Sequence, residues 1–206
     1  RPGVQMMLVA APAGAGKTTL LTQWMQHLPA DICVGWLALD ESDNSLAHFL
    51  SYFFAAMPSI GGDIAAQIES NPSINIEQAV AYLVEQTAEI EKNLILVLDD
   101  YHVITSPAVH QALKLLIDHL PSNLRLVIAG RVQPPLPLAR LRARGQLVEI
   151  RAADLRFHVD ETSDFLARFA GLESLSGQDT LSKRLTDSTE GWAAGIQMSA
   201  LALRGE

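Results

Sequence analysis

The sequence predicts an α/β fold: a five-stranded parallel sheet with flanking helices, followed by a small helical subdomain. Three observations carry that expectation. Short apolar runs alternate with segments of helical periodicity from Gln5 to Ile150, the pattern of parallel strands joined by crossover helices. No strand-like run follows Ile150, so residues 1–152 are assigned to a sheet domain and residues 153–206 to a helical subdomain. Between the first apolar run and the first helix lies Ala11-Pro12-Ala13-Gly14-Ala15-Gly16-Lys17-Thr18-Thr19, a glycine-bearing turn of the kind that cradles phosphate.

Taken in order, Gln5 to Ala10 is a short apolar strand of the kind buried on both faces, and it delivers the chain into the turn. Leu20, Leu21, Trp24, Met25 and Leu28 then recur at helical spacing until Pro29. Ile32 to Leu39 reads as a second strand, followed by the polar turn Asp40 to Asn44 and a helix whose buried face is Leu46, Phe49, Leu50, Phe53, Phe54 and Met57. Pro58 to Asn75 reads as a surface loop. Ile76, Val80, Leu83, Thr87 and Ile90 trace another helix, and Leu94 to Leu98 is a third strand ending in Asp99-Asp100. Ser106 and Pro107 mark a helix start, with Val109, Leu113, Leu116 and Leu120 as its buried stripe. Leu124 to Ala129 is a fourth strand ending at Gly130-Arg131, Leu136 to Arg144 a short basic helix, and Leu147 to Ile150 a fifth strand. Beyond them, helices are expected around Phe165, Leu166 and Phe169 with a stop at Gly171, around Leu181 and Leu185, and around Trp192, Ile196, Ala200 and Leu203.

Composition narrows the function classes. With 206 residues and 49% hydrophobic content the chain can bury a full core. Fifteen basic against 23 acidic residues leave a net charge of −8, a poor electrostatic match for nucleic acid. Arg140, Arg142 and Arg144 lack interleaved aromatics and read as a solvated helix face. The single cysteine, Cys33, sits in an apolar run and cannot form an intrachain disulfide, which fits a reducing compartment. No apolar stretch nears the roughly 20 residues of a membrane span, and no signal-peptide pattern opens the chain. A soluble, cytoplasmic protein with no membrane partner is expected. The chain starts at Arg1-Pro2-Gly3 without Met and stops after a helical pattern, so it is expected to be a fragment.

The turn matches G-x-x-x-x-G-K-[ST] except at its first position, where Ala11 replaces glycine; the change matters only if that residue needs positive φ. In such turns the backbone amides of Ala13, Gly14, Ala15, Gly16, Lys17, Thr18 and Thr19 surround phosphate, the Lys17 ammonium meets the β and γ oxygens, and the Thr18 hydroxyl binds Mg²⁺. The second requirement is an acidic strand end, met about eighty positions downstream. Asp99, taken to end a neighbouring strand, is the candidate Mg²⁺ carboxylate. Asp100 is placed either to polarise a water for attack on the γ-phosphate or as a structural carboxylate. Arg131, at the carboxyl end of another strand, fits either a γ-phosphate contact or a surface ion pair. His102 and Tyr101 are open between ligand contact and packing, while Trp24 and Trp36 read as core. No His/Cys spacing suits a transition metal, and no Ser/His/Asp arrangement stands out.

With these segments in place the chain resembles the nucleotide-binding portion of the MalT-like, large ATP-binding LuxR-type transcriptional regulators, a branch of the STAND signal-transduction ATPases. The resemblance covers essentially the whole chain. It rests on Ala11 to Leu20, Leu96-Val97-Leu98-Asp99-Asp100-Tyr101-His102, Arg131 with Pro134 to Arg142, Asp154-Leu155-Arg156-Phe157, and Glu190-Gly191-Trp192. It implies a P-loop NTPase sheet of the ASCE/AAA+-like kind and a slow ATPase used as a switch, closed with ADP and opened by inducer with ATP for self-association. It also implies phosphate, magnesium and hydrolytic roles for Lys17, Thr18, Asp99 and Asp100, and γ-phosphate sensing by Arg131. The family's glycine-x-proline motif beside adenine corresponds to Gly191-Trp192-Ala193, with alanine in place of proline. Trp192 is open between a base contact and a core role. The winged-helix segment, sensor repeats and DNA-binding helix-turn-helix of that family lie outside these residues, as do the preceding residues that help hold the base. Inducer, regulatory protein and DNA would therefore engage other parts of the protein. The alternatives are a small-molecule kinase or other P-loop metabolic enzyme, which would need an acceptor pocket, and a module that binds nucleotide without hydrolysing it.

Overall fold

A computed structural model of the chain describes residues 3–57, 76–170 and 178–204. The loop expected at Pro58 to Asn75 and the helix stop expected at Gly171 lie outside the described residues. Contacts divide the chain into two compact units, Arg1–Ala10 with Leu21–Glu149, and Ala11–Leu20 with Ile150–Glu206. The phosphate-loop segment thus groups with the C-terminal helices.

The first unit is built on the sheet. Its strands are β1 (Met6–Ala10), β2 (Ile32–Ala38), β3 (Asn93–Asp99), β4 (Leu124–Gly130) and β5 (Leu147–Arg151), in the spatial order β2-β3-β4-β1-β5 and all parallel. Continuous apolar runs form the central strands because both faces are covered: Leu94 to Asp99 is buried throughout, as are Leu126 to Gly130. α2 (Leu46–Ala55), α3 (Ile76–Ala88), α4 (Pro107–Asp118) and the short α5 (Leu138–Ala143) bury Phe49, Phe54, Leu83, Leu113 and Leu141 in one cluster with Met6, Leu8, Leu96, Leu98, Leu126 and Ile128. Each fully buried Leu or Phe contributes roughly 1.5–3 kcal/mol. Register sets which strand ends meet. Ala10 is level with Gly130, Val9 with Ala129, and Leu98 with Ile128, so β1, β4 and β3 finish together at the carboxyl edge. β4 lies between β1 and β3, so the strand carrying Asp99 is not the direct neighbour of β1 that the sequence reading assumed.

α1 (Lys17–Met25) begins at Lys17, earlier than the apolar periodicity alone suggests, because the glycine turn feeds it directly. Trp24 and Trp36 are half-buried and not core residues. Trp36 sits on the edge strand β2, and Trp24 lines a cleft of about 240 Å³ with Met7, Arg125 and Val148. Ser106 precedes α4 with Pro107 at its first position, yet the Ser106 side chain makes no cap bond. Asn44 Oδ1 instead accepts the Thr105 and Ser106 amides at 2.7 and 2.9 Å.

In the second unit α6 (Val159–Ala170), α7 (Gln178–Thr189) and α8 (Ala193–Arg204) pack on one another. Leu166, Ile196 and Ala200 are fully buried there beside the polar Thr162 and Ser182. The Thr186 hydroxyl donates to Thr162 Oγ1 at 2.8 Å and joins α7 to α6. α7 ends in a left-handed turn, with Glu190 at φ 51° and Gly191 at φ 71°, closed by the Gly191 amide on the Thr186 carbonyl at 2.9 Å. A Cβ on Gly191 would lie 2.5 Å from the Phe157 carbonyl oxygen, so glycine is required where the chain crosses residue 157. No helix among the described residues is long and apolar enough to cross a membrane.

Candidate functional site

The phosphate-loop residues belong to the second unit and are organised by two glycines and a lysine. Gly14 has φ 72° and Gly16 φ 85°, conformations that the missing Cβ makes accessible. Ala11 is not among the residues with positive φ, which explains why alanine stands at the first motif position. Pro12 to Ala15 form a reverse turn, with the Ala15 amide 3.4 Å from the Pro12 carbonyl and Gly14 at the third position, the type II arrangement. The Leu20 amide donates to the Gly16 carbonyl at 2.8 Å and starts α1, so the amides of its first turn face an anion-binding position. Lys17 is 8% exposed; its ammonium donates to the Ala11 and Pro12 carbonyls at 3.0 and 3.1 Å. These carbonyls offset the desolvation of a buried cation. Ala13, Gly14, Thr18 and Thr19 are exposed.

The same unit supports the loop from below. Trp192 donates its indole N–H to the Ala13 carbonyl at 3.1 Å, and the Ala194 amide donates to the Gly14 carbonyl at 3.0 Å. Trp192 is 45% exposed, so it is not a core residue. A cleft of about 300 Å³ runs beside the loop, lined by Pro12, Ala13, Leu155, Arg156, Trp192 and Ala193 among others. Its size is at the lower end of small-molecule sites. Arg156 and Glu190 pair across it at 3.0 Å, both well exposed, a contact worth little to stability.

The acidic strand end lies in the first unit. Asp99 is 4% exposed and accepts the Asp100 amide at 2.9 Å, while its carbonyl takes the Leu39 amide at 3.0 Å. Asp100 is held in the left-handed region, φ 56° and ψ 30°, which turns its side chain, about half exposed, out of the strand direction. A non-glycine residue there is uncommon, and such outliers gather at functional sites. His102 Nδ1 stands 3.6 Å from Asp100 Oδ1. Arg131 follows β4 and is exposed. Tyr101, open in the sequence reading, is a packing residue: it is 2% exposed and its hydroxyl lies 2.8 Å from His110 Nδ1. Burial raises the Tyr101 pKa; burial, and then Lys114, lower that of His110. Asn44 buttresses the segment after Asp100, donating to the Val103 carbonyl at 3.0 Å besides accepting the two amides before α4. Sequence reasoning passed over Asn44 and Ala194, because a turn asparagine and a backbone amide carry no signal of their long-range partners.

The basic helix is committed to pairs within the unit. Arg140 bonds Asp118, and Arg142 grips Glu149 with two bonds of 2.9 and 2.8 Å. Among the described residues no three His, Cys, Asp or Glu side chains gather as a metal cluster.

A family model described as an AAA ATPase domain matches residues 1–128. The HTH-type transcriptional regulator MalT of Yersinia enterocolitica is 36% identical over 204 residues, and that of Serratia proteamaculans 37% over 205. Each alignment covers 97% of this chain and 22% of the relative, so the chain spans about a fifth of the length of these curated relatives. Among solved structures, a STAND protein with a tetratricopeptide repeat sensor from Pyrococcus horikoshii matches with TM-score 0.58 and 14% identity, over 92% of this chain and 26% of that one. Cdc6p from Pyrobaculum aerophilum matches with TM-score 0.54 and 22% identity, over 100% and 57%. At these identities the solved structures speak for the fold alone.

Proposed function

Because the chain belongs to the AAA ATPase domain family, and is similar to part of the MalT regulators, we propose that it is the ATP- and ADP-binding switch module of a signal-responsive transcriptional activator, with slow hydrolysis resetting the switch. The observation that carries this reading is the loop itself: Gly14 and Gly16 at positive φ, opening into a helix at Lys17. In this reading the amides of Ala13 to Thr19 and the Lys17 ammonium hold the β- and γ-phosphates. The ammonium exchanges its loop carbonyls for phosphate oxygens, a charge-assisted contact. The base and ribose enter the cleft beside the loop, against Leu155, Arg156 and Ala193.

A hard cation suits the remaining donors, the Thr18 hydroxyl and the Asp99 carboxylate, both oxygen ligands. Bound Mg²⁺ would neutralise charge on the β- and γ-phosphate oxygens. Asp100 orients the attacking water and takes its proton, and its strained backbone and solvent-facing carboxylate support that role. Arg131 senses the γ-phosphate with its guanidinium. Inducer or a regulatory protein and DNA would engage parts of the protein outside these residues, self-association would be that of the full-length protein in its ATP state, and the charge of −8 also argues against direct DNA contact by this chain. We place the protein in the cytoplasm, with no membrane partner.

The purified protein, denatured and its nucleotide resolved by ion-exchange chromatography, should release ADP. Lys17→Ala should release none and bind Mg-ATP about a hundredfold more weakly in calorimetry, as loss of a charge-assisted contact predicts. Unchanged binding by that variant would sink the assignment.

A further inference from the structure

The Ala13–Gly14 peptide is the central peptide of the turn that opens the phosphate loop, and a side chain from outside the loop fixes which way it faces. Type I and type II turns differ chiefly by a rotation of their central peptide through about 150–170°. In a trans peptide the C=O and the following N–H point opposite ways. Whatever holds the Ala13 carbonyl therefore also aims the Gly14 amide. Here the holder is the Trp192 indole N–H, at 3.1 Å, on the side opposite to where that amide points. The next peptide is fixed the same way, its Gly14 carbonyl taken by the Ala194 amide at 3.0 Å.

The holder is rigidly mounted. Gly191 is locked against residue 157, whose amide donates back to the Gly191 carbonyl at 2.9 Å. The Trp192 amide bonds Thr189 at 3.0 Å and its carbonyl accepts Ile196 at 3.0 Å. A Cβ on Gly195 would lie 3.0 Å from the indole Cε3, so the ring is laid over the first turn of α8. The fit is close on the loop side as well. A Cβ on Gly14 would lie 2.7 Å from Ala194 Cβ and 2.9 Å from Trp192 Cζ2.

We infer that Trp192, with the Ala194 amide, is a positioning residue for the phosphate loop: it holds the Ala13–Gly14 peptide with its amide toward the phosphate, so that phosphate affinity is set by the first turn of α8. Displacing that turn frees the peptide to rotate and withdraws the Gly14 amide from the anion. This rests on the nucleotide-binding reading above and adds to it a coupling between the C-terminal helices and the phosphates.

Trp192→Phe keeps an aromatic ring at the position and removes the indole N–H together with part of the bicyclic ring. Calorimetry with ADP and with inorganic pyrophosphate, which carries no base, should show both weakened by the same factor, about five- to tenfold, the worth of one hydrogen bond. Wild-type affinity for both would overturn the inference. So would a loss confined to ADP, which would make Trp192 a base or ribose contact. If the unsubstituted chain binds neither ligand, the nucleotide reading itself fails, and the two failures are distinct. A second measurement needs no substitution. Of the three tryptophan indole N–H resonances of ¹⁵N-labelled protein, pyrophosphate should move that of Trp192 and leave Trp24 and Trp36 in place. A Trp192 resonance that stays put at saturating pyrophosphate overturns the inference.

Discussion

The sheet unit and the helical unit are stabilised differently. In the sheet unit, Met6, Leu8, Leu96, Leu98, Leu126 and Ile128 share one continuous cluster with Phe and Leu side chains from four helices. In the helical unit, Leu166, Ile196 and Ala200 are buried beside Thr162 and Ser182, and hydrogen bonds such as Thr186 to Thr162 join its helices. A small core with polar contents opens at lower free energy than a large apolar one. The phosphate-loop segment groups with the less apolar unit, whereas Asp99, Asp100 and Arg131 stand on the one with the larger apolar core. The difference teaches that the candidate ligand-binding residues are divided between a unit with a large apolar core and one with a small, partly polar core.

The largest expected effect tests the catalytic side of that division. Asp100→Asn should retain nucleotide yet slow single-turnover hydrolysis by about 10²–10⁴-fold, the usual worth of a general base. Wild-type turnover would hand water activation to another group. Arg131→Ala, by contrast, should weaken ATP more than ADP in calorimetry, and equal losses would remove its sensing role.

Next comes the contrast in cores. Leu96→Ala, at a fully buried central-strand position, should cost about 2–5 kcal/mol in chemical denaturation and lower protection throughout the sheet. Leu166→Ala removes the same atoms from the helical unit, and its loss should register in hydrogen exchange of α6, α7 and α8 while leaving the sheet amides protected. Equal loss of protection in the sheet would merge the two units into one cooperative block.

The smallest effect is a pH dependence carried by the sheet unit. His110 is held below its ordinary value of 6.5 by burial and by Lys114, so the folded protein binds its proton less readily than the unfolded chain. Its contribution is complete above that ordinary value and is lost as pH falls from there through the folded-state value. The Tyr101 hydroxyl can donate to Nδ1 only while that nitrogen is unprotonated. The drop in Tm between pH 8 and pH 5.5 should therefore be smaller in His110→Asn than in the unsubstituted protein; an equal drop would exclude His110 as a source.

Much of this was legible in the residues. The five strands and the glycine-bearing turn that leads into the first helix follow from apolar runs, periodicity and the chemistry of glycine, all local properties. Alanine at position 11 was tolerable on the same ground, since that residue has no positive φ to sustain. What adjacency in sequence does not encode was decided only in three dimensions. The insertion of β4 between β1 and β3 follows from which strands pair, and apolar composition is the same for every order. Tyr101 became a packing residue because α4 brings His110 to its hydroxyl. Trp36 lost its core place because β2 is an edge. Trp192 acquired its role from a carbonyl 179 positions away, and a hydrogen bond at that separation leaves no periodicity to read.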